Sequence, residues 1–170
     1  MKRAIICVLG ALFIFQSCGS KNYVLTEKNF FLVMTNAQYY PEQYLGKDMS
    51  FDCFTYRFTD VDGKEYTCGV RKCSSGYGCK CGKDTVIGFI LEYAGDIPEP
   101  VRQSEDCNEK AWIHVTGRIK SAEKTTIKIY AYLGDEPDYS TVEEIAFLTF
   151  GVNALERIED YSSLNYYVTK

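Results

Sequence analysis

Residues 49–71, MSFDCFTYRFTDVDGKEYTCGVR, decide the fold. Phe54, Tyr56 and Phe58 alternate with Cys53, Thr55 and Arg57. A period of two sends the two sets to opposite faces of a half-buried strand from Met49 to Phe58. Asp60-Val61-Asp62-Gly63-Lys64 then carries the Asp-Gly turn signal, so Tyr66 to Arg71 should return antiparallel as a hairpin.

Working outward, Val86 to Tyr93 is the most apolar run and reads as a central strand, and Trp112 to Ile119 reads as the next. Thr125 to Leu133 alternates again, with Ile127, Ile129, Ala131 and Leu133 on one face. Gly134 to Ser140 reads as a loop. Val142 to Val152 fits strand or helix, and its β-branched and aromatic content favours strand after Glu144. One or two helical turns are expected within 153–161, and an edge strand at Tyr166-Tyr167-Val168. Upstream, Phe30-Phe31-Leu32-Val33-Met34 reads as a compact strand closed by Asn36. Tyr40 to Gly46 reads as one helical turn, with Pro41 early and Gly46 closing it. Short patterned strands with one or two short helices predict a mainly β chain that closes into a small antiparallel barrel.

The 170 residues suffice for one domain with a real core. The formal charge is −4; without Lys2 and Arg3 it is −6, from 17 basic and 23 acidic residues. No basic stripe offers the positive footprint that nucleic-acid binding needs, so nucleic acid is not an expected partner.

The N-terminus reads as an address. Met1-Lys2-Arg3 is a basic n-region, and Ala4 to Phe15 is an apolar run too short to span a bilayer but of signal-peptide length. Ser17-Cys18-Gly19-Ser20 resembles a bacterial lipobox, in which the cysteine is diacylated and becomes the mature N-terminus. The expected organisation is a lipoprotein signal peptide over 1–17, a lipid-anchored tether over 18–28 and the barrel domain over 29–170. Cys18 would hold the chain in the cell envelope, attached to the membrane by lipid and facing the periplasm.

Six cysteines remain beyond the signal segment: Cys53, Cys68, Cys73, Cys79, Cys81 and Cys107. An even number in an exported chain reads first as disulfides, and six permit about fifteen connectivities. A turn centred on Asp62-Gly63 sets Cys53 opposite Lys72, and one bulge would bring it opposite Cys73, making Cys53–Cys73 a candidate bridge. The loop 68–82 holds four of the six, with glycines 76, 78 and 82 to let it close around an ion. Zinc or copper is therefore an alternative to a cofactor-free domain, with His114 as a possible nitrogen ligand, although the paired Cys-x2-Cys knuckles of zinc ribbons are absent. A thiol–disulfide redox role built on Cys79-Lys80-Cys81 is a third reading.

Four segments carry a family resemblance. They are Tyr44-Leu45-Gly46-Lys47 leading into a strand that ends Phe54-Thr55-Tyr56-Arg57, then Gly88 to Tyr93, Trp112 to Ile119, and the terminal Asn165-Tyr166-Tyr167-Val168. In this order they resemble the extracytoplasmic C-terminal domain of uncharacterised bacterial membrane proteins described as subunits of a proposed two-component permease. The resemblance spans roughly residues 30 to 168. A Gly-Lys entry into a strand and a Trp-x-x-Val-x-Gly strand are also features of oligonucleotide/oligosaccharide-binding (OB) barrels, so it implies an OB-like fold. It further implies an envelope or permease protein as partner. The chain departs from the family in having a lipid-anchor signal in place of membrane-spanning segments. It also spreads Cys73, Cys79 and Cys81 through a Gly-rich insertion where the family carries a cysteine pair.

With a single histidine and no nucleophile elbow, no Ser-His-Asp set is expected, and no phosphate loop or calcium loop is present. The expectation is a non-catalytic binding or accessory lipoprotein. A glycan-binding module, with Trp112, Tyr130 and Tyr132 as stacking residues, is the remaining alternative.

Overall fold

The structure, a computed structural model, describes residues 22–73, 85–101, 111–133, 136–165 and 167–168. Within them the expected hairpin forms from β2 (Met49–Thr59) and β3 (Glu65–Cys73), with Thr59 opposite Glu65. Asp60 fixes the connection: its Oδ1 accepts from the amides of Asp62 at 3.0 Å and Lys64 at 2.8 Å. Gly63 supplies the φ of +83° that the turn requires and that L side chains avoid.

β4 (Thr85–Glu92) runs antiparallel to β3, and β5 (Trp112–Leu133) runs antiparallel to the first half of β2. β6 (Glu136–Arg157) pairs antiparallel with β5 and, over Thr149–Gly151, parallel with β4. Hydrogen bonding therefore runs β2-β5-β6-β4-β3 and back to β2, a closed ring. This is the expected OB-like barrel, and closure leaves its ring strands no open edges where they pair. β1 (Tyr23–Val24) adds parallel to β2, and β7 (Tyr167–Val168) adds parallel to β3.

Phe51, Phe89 and Phe150 fill the barrel, with ring centroids 5.2 to 5.8 Å apart. Each such ring withdrawn from water contributes about 2–3 kcal/mol. Strand approach there is too close for side chains at two positions. A Cβ at Gly88 would lie 2.0 Å from the Gly69 carbonyl oxygen, and one at Gly117 would lie 2.1 Å from that of Gly151.

Several expectations change. Phe30–Tyr39 is helix α1, not a strand. A short apolar run reads equally as strand or buried helix, and here Phe30, Met34 and Ala37 recur at helical spacing and plug one end of the barrel. Gln38 Nε2 donates to the Gly88 carbonyl at 2.8 Å and pins the plug. The turn that follows is a 3-10 helix, Pro41–Gln43. The expected helical turns after residue 153 are instead the end of β6, which reaches Arg157, and β6 starts at Glu136, inside the expected loop. The expected tether 18–28 is domain from residue 22 onward: Tyr23–Val24 is β1, Leu25 is buried and Glu27 binds Arg71. Residues 1–21, with the signal segment and Cys18, lie outside the described residues.

β5 and β6 continue past the barrel as a long two-stranded ribbon after an irregularity between Ile119 and Lys124. Along β5, Ile127, Ile129 and Ala131 share one face; cross-strand, Phe147 and Ile145 join it. That face folds back on the outside of β2 and β3, where Phe54, Tyr56, Phe58, Cys68 and Val70 form a second core. Phe58 and Phe147 meet at 5.4 Å, and the Val61 amide donates to the Lys128 carbonyl at 2.9 Å. The hairpin face Phe54-Tyr56-Phe58 is thus buried under the ribbon rather than turned into the barrel.

Candidate functional site

The expected cysteine site does not assemble from the thiols described. Cys53, Cys68 and Cys73 are free and buried. Cys68 and Cys73 stand five residues apart on β3 and therefore face opposite sides of it. Cys68 joins the outer core and Cys73 the barrel interior. The Cys53–Cys73 bridge is absent because the hairpin register differs from the expected one: Phe54 pairs with Val70, which aims Cys53 toward Arg71 rather than Lys72. Its sulfur lies over Gly69, where a Cβ would come within 2.8 Å of Sγ. Burial pushes all three thiols up, Cys73 to about 11 and Cys53 and Cys68 further, so at neutral pH they are protonated and poor nucleophiles. Cys79, Cys81 and Cys107 lie outside the described residues, and no group of three metal-ligating side chains occurs among the described ones.

Trp112 is not a stacking platform. It is 3% exposed, edge-on to Phe54 at 5.6 Å and stacked on Tyr161 at 6.3 Å. The Arg71 guanidinium lies 5.1 Å from its ring and 4.9 Å from that of Phe30. Arg71 itself is 2% exposed. Its Nε donates to the Asp52 carbonyl at 2.9 Å, and Nη1 donates to the Asn165 carbonyl at 3.0 Å and to the Glu27 carboxylate. Glu27 also accepts from the Asn165 amide at 3.3 Å. Two aromatic faces and these acceptors compensate the buried cation. The cluster is a structural clamp joining the N-terminal segment, β2, β3, β5 and the C-terminal segment.

His114 is half-buried on the outer face of β5, with Nδ1 2.6 Å from Asp52 Oδ1. The carboxylate fixes the imidazole tautomer, as in general-base and metal-ligand settings. Among the described residues no hydroxyl or thiol hydrogen-bonds this ring. Beside it, Arg118 grips Asp48 through two bonds of 2.6 and 3.1 Å, which hold the Asp48 carboxyl below its usual range.

A ligand-sized concavity of about 650 Å³ lies on the outside of β3, β4 and β6, next to the Asp60–Lys64 turn. Tyr66 and Thr67 of β3, Leu91 and Glu92 of β4, Tyr93, and Lys120 of β5 line it. Lys120 and Glu92 form an ion pair, and the lysine stem passes over Gly151, where a Cβ would lie 3.1 Å away. The Tyr93 ring rests on Gly95 at comparable closeness, and the Lys64 ammonium sits 4.5 Å over the Tyr66 ring. Two tyrosines, an ion pair and strand edges can hold a polar ligand by hydrogen bonds and stacking. Period-two reading put Tyr66 on a strand, but it could not show that Lys120, beyond two connections, would face it.

Tyr130 and Tyr132 lie on the ribbon, alternating with the residues that face the barrel. Tyr130 meets Tyr139 at 5.0 Å, edge to face. Tyr139 is exposed and falls in the stretch read as loop, so the sequence analysis passed over it.

Among known proteins, a family model described as DUF1980 C-terminal domain matches residues 14–136, well over half the chain. The match covers β1 through β5 and stops where β6 begins. No curated protein and no solved structure matches.

Proposed function

The chain belongs to the DUF1980 C-terminal domain family, and from that premise we propose that it is a membrane-anchored, extracytoplasmic binding or accessory module without catalytic activity, serving an envelope transport system. Cys18 is its lipid attachment point, and the mature domain faces the periplasm. The observation that carries the binding role is the division between a barrel interior filled by Phe51, Phe89 and Phe150 and an outer groove along β3, β4 and β6. OB barrels take their ligands on the second and third strands, flanked by the loops after strands one and four. With β2 counted as strand one, the groove of Tyr66, Tyr93, Glu92 and Lys120 lies against the second and third strands and beside the loop after the first, which supports this reading. Supporting a binding role over catalysis, the described thiols are protonated, and His114 is engaged by Asp52 alone among the described side chains.

Two measurements test the reading. Fractionation of cells making the full chain should leave it with membranes through high salt and alkali, while Cys18→Ala is released. Retention of both forms, or release of both, overturns the anchor. Native intact mass of the mature domain, isolated without reductant from envelope extract, should exceed the denatured mass by a small organic ligand, and the excess should fall in Tyr66→Ala. An excess equal to zinc or copper, lost on denaturation to leave free thiols, would replace this reading with metal binding through Cys73, Cys79 and Cys81.

A further inference from the structure

Helix α1 has a second face. Phe30, Met34 and Ala37 bury one stripe in the end of the barrel. Leu32 and Tyr39, seven residues and so two turns apart on the opposite stripe, are 60% and 74% exposed. None of the ten residues of α1 is charged. Of its three polar side chains, Gln38 is turned to the Gly88 carbonyl and the Thr35 hydroxyl is buried, which leaves Asn36 between Leu32 and Tyr39. A helix at a protein surface ordinarily turns charged side chains to water, and one that is apolar on all sides is covered on all sides.

Neighbouring segments carry more of the same surface. Val24, Tyr40 and Leu45 are also exposed, so five of the eight large apolar side chains exposed among the described residues fall within 24–45. The passage from β1 into α1 is held in place. The Thr26 amide donates to Asn29 Oδ1 at 2.6 Å, and Asn29 Nδ2 donates to the Val24 carbonyl at 3.2 Å. Chain length says what lies against these residues. Cys18 stands four residues before Asn22, where the described chain begins. An extended chain spans at most about 3.6 Å per residue, so Asn22 is within about 14 Å of Cys18. β1 and α1 are the first elements after it.

We propose that α1 lies in the headgroup layer of the bilayer that holds the acyl chains of Cys18, with Leu32 and Tyr39 inserted. Tyrosine suits that depth, because its ring enters the apolar side while its hydroxyl stays with water and headgroups. No charge within α1 has to be stripped of water on entry. A short helix with so few anchors binds a bilayer weakly by itself. The lipid makes the contact intramolecular, so a weak surface suffices. A flexible tether alone leaves the barrel free to tumble, whereas a second contact through α1 fixes its orientation to the membrane. The inference rests on the lipid anchor proposed above and adds this contact to it.

The test uses the full chain in its own cell membranes, with a benzophenone side chain at position 39 and, as control, at exposed Tyr139 on the ribbon. After irradiation, position 39 should carry an adduct with the mass of a membrane phospholipid, at about five times the yield from position 139 or more. Leu32→Glu, which sets a carboxylate on the same stripe, should cut the adduct at position 39 about threefold or more. Unchanged Trp112 emission shows that this variant is folded. Equal yields from the two positions overturn the proposal, and so does a yield at position 39 that Leu32→Glu leaves unchanged. A discrete protein adduct at position 39, a second copy of this chain included, overturns it as well. Fractionation of the same cells reads the anchor separately. A chain that stays with membranes but gives no lipid adduct at position 39 loses this surface and keeps the anchor, and a chain released from membranes loses both.

Discussion

The barrel and the ribbon are made from the same two strands, and they are built to opposite specifications. Within the ring, β5 and β6 are paired on both sides where β2 and β4 meet them, and their inward residues reach the Phe51–Phe89–Phe150 core. Past Lys124 they pair with no other strand among the described residues, one face seated on Phe58 and the other open. Substitutions in the ring should therefore register as lost stability, and those on the ribbon's open face should change stability little.

The largest expected effect is in the barrel. Phe51→Ala should cost about 3–5 kcal/mol, read as the urea midpoint of Trp112 fluorescence. A loss below about 1 kcal/mol would mean the interior repacks and the contrast is false. Gly88→Ala should be comparably damaging, since its new methyl meets a carbonyl oxygen rather than a movable side chain.

Phe147→Ala sits on the seam between the regions. It should cost about 3 kcal/mol and speed amide exchange in Thr125–Leu133 before that in β3. Equal exchange in both would make ribbon and barrel one cooperative unit.

Next in size is Glu27→Gln, which leaves the Arg71 cation without its carboxylate. Glu27 is part-exposed, so the loss should be about 2–3 kcal/mol rather than the full cost of breaking a buried pair. Arg71→Met, which removes the charge and fills the slot between Phe30 and Trp112, should recover part of it. If both variants match the parent, the clamp contributes nothing.

The smallest effects concern protons. Because burial raises the Cys73 thiol to about 11, the folded state holds its proton more tightly than the unfolded chain does. Its contribution is complete below the unfolded thiol value and fades as pH rises toward 11, so stability should decline in that alkaline window. Alkylation of Cys73 at pH 8 should be slow without urea and fast with it. On the ribbon the sign reverses: Asp138 is lowered, so its turn is intact at neutral pH and loosens only as acid protonates the carboxylate. Chemical shifts of Ser140 and Thr141 should move in that acid range while the barrel's do not.

What was legible in the sequence follows from the same division. The hairpin from Met49, the strands at Val86 and Trp112, and closure into an OB-like barrel announce themselves through period two, a turn signal and family-like segments. Helix α1 did not, because five consecutive apolar residues fit either period, and only Ala37, after Asn36, settles it. The ribbon's extent was hidden by Gly134 to Ser140, a stretch of turn residues of which Glu136 to Ser140 belong to an irregular strand. The cysteine reading depended on a one-residue register that no pattern fixes, and that single step turned Cys53 from a bridging position to one over Gly69. Tyr66 and Lys120 could not be joined from sequence, because their meeting depends on how the ring closes.

The Arg71 clamp also bears on when the molecule can finish folding. Its partners come from residues 27, 52, 112 and 165, so the loop it closes spans nearly the whole chain. The β2–β3 hairpin can form locally, yet the Arg71 guanidinium lacks its Asn165 partner until that distant segment docks. Long-separated contacts of this kind slow folding. Completion of the native state is thereby tied to docking of the segment around Asn165, and a chain truncated before it would keep its barrel strands but lack the contact that ties them shut.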